Sequence, residues 1–136
     1  MTSPEVAVLG YKWYEHPELR QFKAGWDRID RECSTFFASL GYEKIPDSNA
    51  FRAVAPSDRR VALFAHQGFG KLFFSWLMHI PYPQFCVQFG LCHTGMTVVE
   101  FQDENGIVFP KLLTFSSDGH LYREGLPLDY NHKTKI

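Results

Sequence analysis

Apolar residues in the first third of the chain recur at spacings of three and four. In PELRQFKAGWDRIDRECSTFFASLGY, the residues Leu19, Phe22, Trp26, Ile29, Cys33, Phe36 and Leu40 share one helical face. Arg28, Asp30, Arg31 and Glu32 lie largely on the other. Pro17 suits the first turn of this helix and Gly41 its stop, while Gly25 in its middle weakens it by about 1 kcal/mol relative to alanine. Past a loop through IPDSN, the stretch FRAVA predicts a short strand, and PSD turns the chain toward Val61.

There the periodicity disappears. Val61-Ala62-Leu63-Phe64-Ala65 is apolar at every position, which predicts a strand covered on both faces, as in a mostly parallel sheet between helical layers. Gly68 and Gly70 then predict a tight turn, Leu72, Phe73, Trp76 and Leu77 resume helical spacing to about His79, and IPYPQF breaks that helix. Thr94 to Phe101 predicts a strand, DENG a turn and Ile107 to Phe115 the hairpin partner. Pro110 lacks an N–H and is expected at an edge or a bulge. These elements predict one α/β domain over residues 1–136, without repeat, linker or low-complexity tract, and with HKTKI as a frayed tail.

Composition narrows the class. The chain has 136 residues, 45% of them hydrophobic, including 13 Phe, 6 Tyr and 3 Trp, enough for one well-buried core. Fourteen basic against fifteen acidic residues give a net charge of −1, which offers no electrostatic case for nucleic acid or an anionic membrane. Three cysteines without a CxxC argue against a secreted disulfide framework. The opening MTSPEVAVLGYKWYEH has no basic n-region and is not expected to act as a signal peptide. No run approaches the roughly 18 apolar residues of a membrane span. A cytoplasmic, soluble domain is the expectation.

The candidate chemistry centres on His66, which follows the apolar run directly. A strand end opening through glycines onto a helix N-terminus gathers main-chain N–H groups and the positive end of the helix dipole at one place. His66 there could face a phosphate when charged or shuttle a proton when neutral. Equally, it could cap the strand with one satisfied hydrogen bond. GxxxxGK[ST] is absent, and Phe73 occupies the position where GxGxxG requires its last glycine.

The segment VALFAHQGFGKLFFSWLMHIP, the strand TGMTVVEF, a hairpin and a closing GHLY resemble the C-terminal half of the histidine phosphatase superfamily, the phosphoglycerate-mutase-like fold. GWDRIDRECSTFFASLGYE resembles the helix before this strand in one bacterial branch, so that the similarity spans about residues 5–128. The resemblance implies a partial three-layer α/β/α domain with a mostly parallel sheet. It matches His66 to the second active-site histidine, which helps to hold the transferring phosphoryl group, and the main-chain N–H of Gln67 to a phosphate contact that is more often a glycine. Near the end, where the family often has Asp-Thr-Ser-His-Leu, this chain has Ser117-Asp118-Gly119-His120-Leu121, with the aspartate shifted by one place.

The main departure is an absence. The family transfers phosphate to a histidine in an Arg-His-Gly motif on the first strand, helped by a second arginine and a carboxylic acid. This sequence contains no Arg-His dipeptide, and Arg59 and Arg60 lie at the far end of the 61–65 run from His66. His16, His79, His93, His120 and His132 follow no apolar strand of their own. The chain therefore reads as an incomplete domain lacking the first strand and its helices. It is expected to be inactive alone and to bind a small phosphorylated ligand or phosphate, without metal or cofactor. It is also expected to associate with itself, or with a partner chain that completes the sheet. The alternative is a non-catalytic module that binds a phosphorylated ligand or a protein.

Other constellations are weaker. Cys86, Cys92, His93 and His120 could be drawn as a zinc site, but a five-residue gap between the cysteines is no usual knuckle. Adjacent Cys92 and His93 would point apart on a strand, against a nucleophile pair. Glu15, Glu18, Asp27 and Asp30 supply carboxylates, but a polar helix face accounts for Asp30 and Glu32. Phe22, Trp26 and Phe36 are expected in the core, not as a base-stacking platform.

Overall fold

The computed structural model describes residues 3–130. Ser3 caps α1 (Pro4–Leu9) by accepting from the Glu5 N–H at 3.2 Å, and Val6 is its buried residue. A 3-10 segment, Gly10–Glu15, buries Trp13. A second, Arg20–Phe22, leads directly into α2 (Lys23–Ser39). The long helix thus begins several residues after Pro17.

α2 ends where Gly41 takes φ 94°, and a Cβ there would stand 2.0 Å from the Ala55 carbonyl oxygen. The Gly41 carbonyl in turn accepts the N–H groups of Val54 and Ala55 at 2.9 and 3.0 Å. This clasp ties the end of α2 to the exit of the first hairpin, formed by β1 (Tyr42–Lys44) and β2 (Phe51–Ala53). Then come α3 (Gln67–Leu77), α4 (Tyr82–Gln88), β3 (Met96–Glu100), β4 (Asp103–Glu104), β5 (Ile107–Val108), β6 (Lys111–Ser117) and α5 (Gly119–Arg123).

The class is α/β, but the expected parallel sheet is not formed. One sheet has strand order β1-β2-β5-β4 and the other is the pair β3–β6, and every pairing is antiparallel. Short turns join β1 to β2 and β4 to β5, which only antiparallel pairs allow, while β2–β5 and β3–β6 pair antiparallel across longer stretches of chain. DENG makes a tighter hairpin than expected. Asn105 and Gly106, at φ 58° and 86°, form the two-residue turn between β4 and β5, and the Gly106 N–H donates to Asp103 Oδ1 at 2.6 Å. The expected partner of β3 is split at Phe109–Pro110: β5 joins β2 and β4, and only β6 pairs with β3.

IPYPQF follows the end of α3 at Leu77, as expected, and a separate helix, α4, starts within it at Tyr82 with Pro83 in its first turn. One further expectation is corrected. Val61–Ala65 is not a buried strand. The stretch belongs to no helix or strand and is exposed, with Val61 51%, Leu63 50% and Phe64 94% accessible. An apolar run favours extended backbone, but burial needs neighbours. Here the apolar side of α3 is taken up elsewhere.

That side is the heart of the core. Cys33 and Phe37 of α2, Tyr42, Phe51, Val108, and Phe73, Trp76 and Leu77 of α3 form one buried cluster. Phe37 is its hub, with ring centres of Phe51, Phe101, Trp76 and Phe73 at 5.2, 5.2, 5.7 and 6.0 Å. The β2–β5 register sets Phe51 opposite Val108, and both are fully buried. A second aromatic group, Phe74, Phe85, Phe89 and Phe115, fastens β6 to α3 and α4. No helix among the described residues is long and apolar enough to cross a membrane.

Candidate functional site

His66 is the N-cap of α3. Its backbone is extended (φ −77°, ψ 157°), the helix begins at the next residue, and its carbonyl accepts the Gly70 N–H at 2.9 Å. Its imidazole is exposed, caps nothing and has no hydrogen-bond or ionic partner among the described residues. The ring therefore stands at the positive end of an eleven-residue helix whose first turn carries no acidic side chain. Gly68 and Gly70 belong to that first turn rather than to a loop. His66 follows an exposed run, not the buried strand expected before it. A shallow depression of about 120 Å³ lies elsewhere, lined by Gln102, Glu104, Ile107, Phe109 and Lys111.

The Gln67 side chain is turned inward. Its Nε2 donates to the carbonyls of Leu91 at 3.0 Å and Tyr130 at 3.3 Å. Gln67 thus pins the start of α3 to the loop after α4 and to the end of the described chain. A glycine could hold phosphate at this position but could not make these two bonds. The Gln67 side chain therefore has a structural use.

The remaining candidates do not converge on His66. His16 Nε2 lies 3.8 Å from Glu5 Oε2. His79, at φ 52°, stacks on Tyr11 at 4.1 Å, and burial followed by the nearby Lys44 charge pushes its pKa down. Tyr11 also donates its hydroxyl to the His79 carbonyl, and burial pushes its pKa up to about 12. His120 Nε2 is 3.3 Å from Thr94 Oγ1, at the start of the short α5 that follows Ser117 and Asp118. His132 lies outside the described residues. Cys86 is half-buried, its thiol pushed up by burial, while the Cys92 N–H donates to Ser116 Oγ at 2.7 Å. Among the described residues no three His, Cys, Asp or Glu side chains come together to hold a metal ion. Arg59 and Arg60 are exposed on the run before His66 and have no ionic partner among the described residues.

One strongly perturbed group is a residue that the helical and strand patterns did not single out. Lys44 Nζ lies 4.6 Å from the Trp76 ring centre and 4.7 Å from that of Phe51, and donates to the Trp76 and Leu77 carbonyls at 3.1 and 3.3 Å. Burial pushes its pKa down to about 8, against the opposing pull of Asp30. Cys33, in the same cluster, is pushed up to about 11 by burial and then by Asp30 and Glu32. The signal was strand alternation: Lys44 shares a face with buried Tyr42, two residues earlier. Its ammonium caps the C-terminal carbonyls of α3, which accounts for its burial without chemistry.

Chemically, a solvent-facing imidazole at a helix N-terminus can bind an anion or pass a proton. It cannot by itself supply a nucleophile together with a cationic clamp. Compared with protein-family models, with curated proteins and with solved structures, the chain matches none.

Proposed function

We propose that this chain is the C-terminal part of a histidine-phosphatase-like, phosphoglycerate-mutase-like protein. The activity of such a protein is phosphomonoester hydrolysis or phosphoryl transfer through a phosphohistidine. His66 and the Gln67 main-chain N–H hold the phosphoryl group, in the cytoplasm and without metal or cofactor. The observation that carries this reading is the unpartnered His66 imidazole at the N-terminus of α3. It is supported by the sequence resemblance around VALFAHQGFG and by the unpaired, exposed 61–65 run, which suits a segment whose neighbour is missing.

The chain alone is inactive on this reading. Loss of a covalent nucleophile lowers turnover on the order of a million-fold, and the arginine clamp is missing as well. The test is hydrolysis of p-nitrophenyl phosphate by wild type and His66→Ala. Equal background rates are expected. Robust wild-type turnover that disappears in the variant would show that the nucleophile lies within this chain after all.

A second reading is a non-catalytic interaction module, which binds a phosphorylated ligand or a second polypeptide. The exposure of Val61, Leu63 and Phe64 favours it, as do the open edges of the two-stranded β3–β6 sheet, an arrangement with little stability by itself. The two readings share the phosphate contact at His66 and differ in whether a complementary segment bearing Arg-His-Gly restores turnover.

A further inference from the structure

The segment before His66 has features that fit a particular occupant. Residues 56–65 lie in no helix or strand and make no hydrogen bond or ion pair among the described residues, so their main-chain polar groups are open to a partner strand. Its sequence, Asp58-Arg59-Arg60-Val61-Ala62-Leu63-Phe64-Ala65-His66, places an acid at one end and an imidazole at the other. We propose that residues 58–66 pair antiparallel with the same residues of a second copy of this chain, in the register that sets Ala62 opposite Ala62. This needs only the exposed segment and stands whether or not His66 holds phosphate.

Complementarity selects the register. Directly opposite residues of an antiparallel pair share a face. With Ala62 on the two-fold axis, Asp58 of each copy faces His66 of the other, Arg60 faces Phe64, and Val61 faces Leu63. Carboxylate meets imidazole, guanidinium meets an aromatic face, and two branched apolar side chains meet each other. Phe64, the most exposed aromatic of the run at 94%, gains a cover. The carboxylate of the second copy also arrives at the N-terminus of α3, whose first turn has no acid of its own. Neighbouring registers lose this match: centring on Leu63 sets Arg60 against His66, and centring on Val61 sets Asp58 against Phe64.

The test is a charge exchange read by sedimentation equilibrium and light scattering on the full chain. Wild type is expected to show twice the chain mass at tens of micromolar, with a measurable dissociation constant. Asp58→Lys sets lysine against imidazole and His66→Asp sets carboxylate against carboxylate. Each should weaken association about tenfold, since the altered pair occurs twice in the dimer. The double variant Asp58→Lys/His66→Asp restores opposite charges and should return to within about threefold of wild type. Leu63→Lys should give monomer, with the thermal midpoint of wild type when both are measured below the concentration at which wild type associates, because Leu63 is exposed in the single chain. A wild-type monomer overturns the proposal. So does a dimer indifferent to these variants, which would place the interface elsewhere, as does a double variant that fails to recover, which would refute the register. The masses are read without phosphate, and the phosphate response of His66 below the concentration at which the chain associates, so the two readings fail separately.

Discussion

Lys44 reaches across the core to the end of α3, with Nζ 3.1 Å from the Trp76 carbonyl oxygen and 4.6 Å from the centre of the same residue's ring. The indole N–H of Trp76 donates to Asp30 Oδ1 at 2.6 Å. One side chain therefore links α2, β1 and α3. Burial holds the Lys44 amine near 8 in the folded chain against its ordinary 10.5. Between those values the unfolded chain binds more protons than the folded one, so Lys44 makes stability rise with pH from about 8 upward. Cys33, raised from 9.0 to about 11, acts in the opposite sense above about 9. The rise is thus confined to roughly pH 8–9. Urea midpoints should increase across this window in wild type and stay flat in Lys44→Met. A wild-type midpoint that falls there would mean that the amine is held charged.

The aromatic hub and the bare segment give opposite expectations for the same substitution. Phe37→Ala removes a ring packed against five others and should cost about 3–5 kcal/mol. Phe64→Ala should stay within about 0.5 kcal/mol for the single chain, measured by urea denaturation below the concentration at which it associates. A large cost at Phe64 would reveal an intramolecular partner.

Two glycines separate turn chemistry from helix chemistry. Gly41→Ala forces a Cβ against the Ala55 carbonyl at φ 94° and should cost more than about 2 kcal/mol in thermal unfolding. Gly68→Ala, in the first turn of α3 with open space around its Cβ position, should instead stabilise by about 0.5–1 kcal/mol. Destabilisation at Gly68 would restore the tight turn expected from sequence.

These contrasts show where the sequence was legible. The three-and-four spacing located α2 and α3, and FRAVA and the Asn-Gly pair located β2 and the β4–β5 turn, because these signals are local. Phe37 was overlooked beside Phe36, since adjacent positions on a helix can both border an apolar stripe and only packing ranks them. The Val61–Ala65 run was read as a buried strand, and it is neither paired nor buried. Pairing and cover both depend on other parts of the chain. Strand direction failed for the same reason. His66 was legible as the residue at which a helix begins, whereas the inward turn of Gln67 depends on Leu91 and Tyr130, which no spacing connects to it.

The most direct test of the account is the response of the His66 ring to inorganic phosphate. Long-range proton–nitrogen NMR spectra of the histidine rings, recorded while phosphate is raised through the millimolar range, report on each imidazole separately. The His66 nitrogens should shift saturably, with a dissociation constant on the order of 1 mM or weaker, as suits one imidazole and a helix terminus without an arginine clamp. His79, stacked on Tyr11, and His120, beside Thr94, should stay near their starting positions. A His66 ring that does not move, or that moves no more than those two, would contradict the assignment of His66 as the phosphate-holding residue.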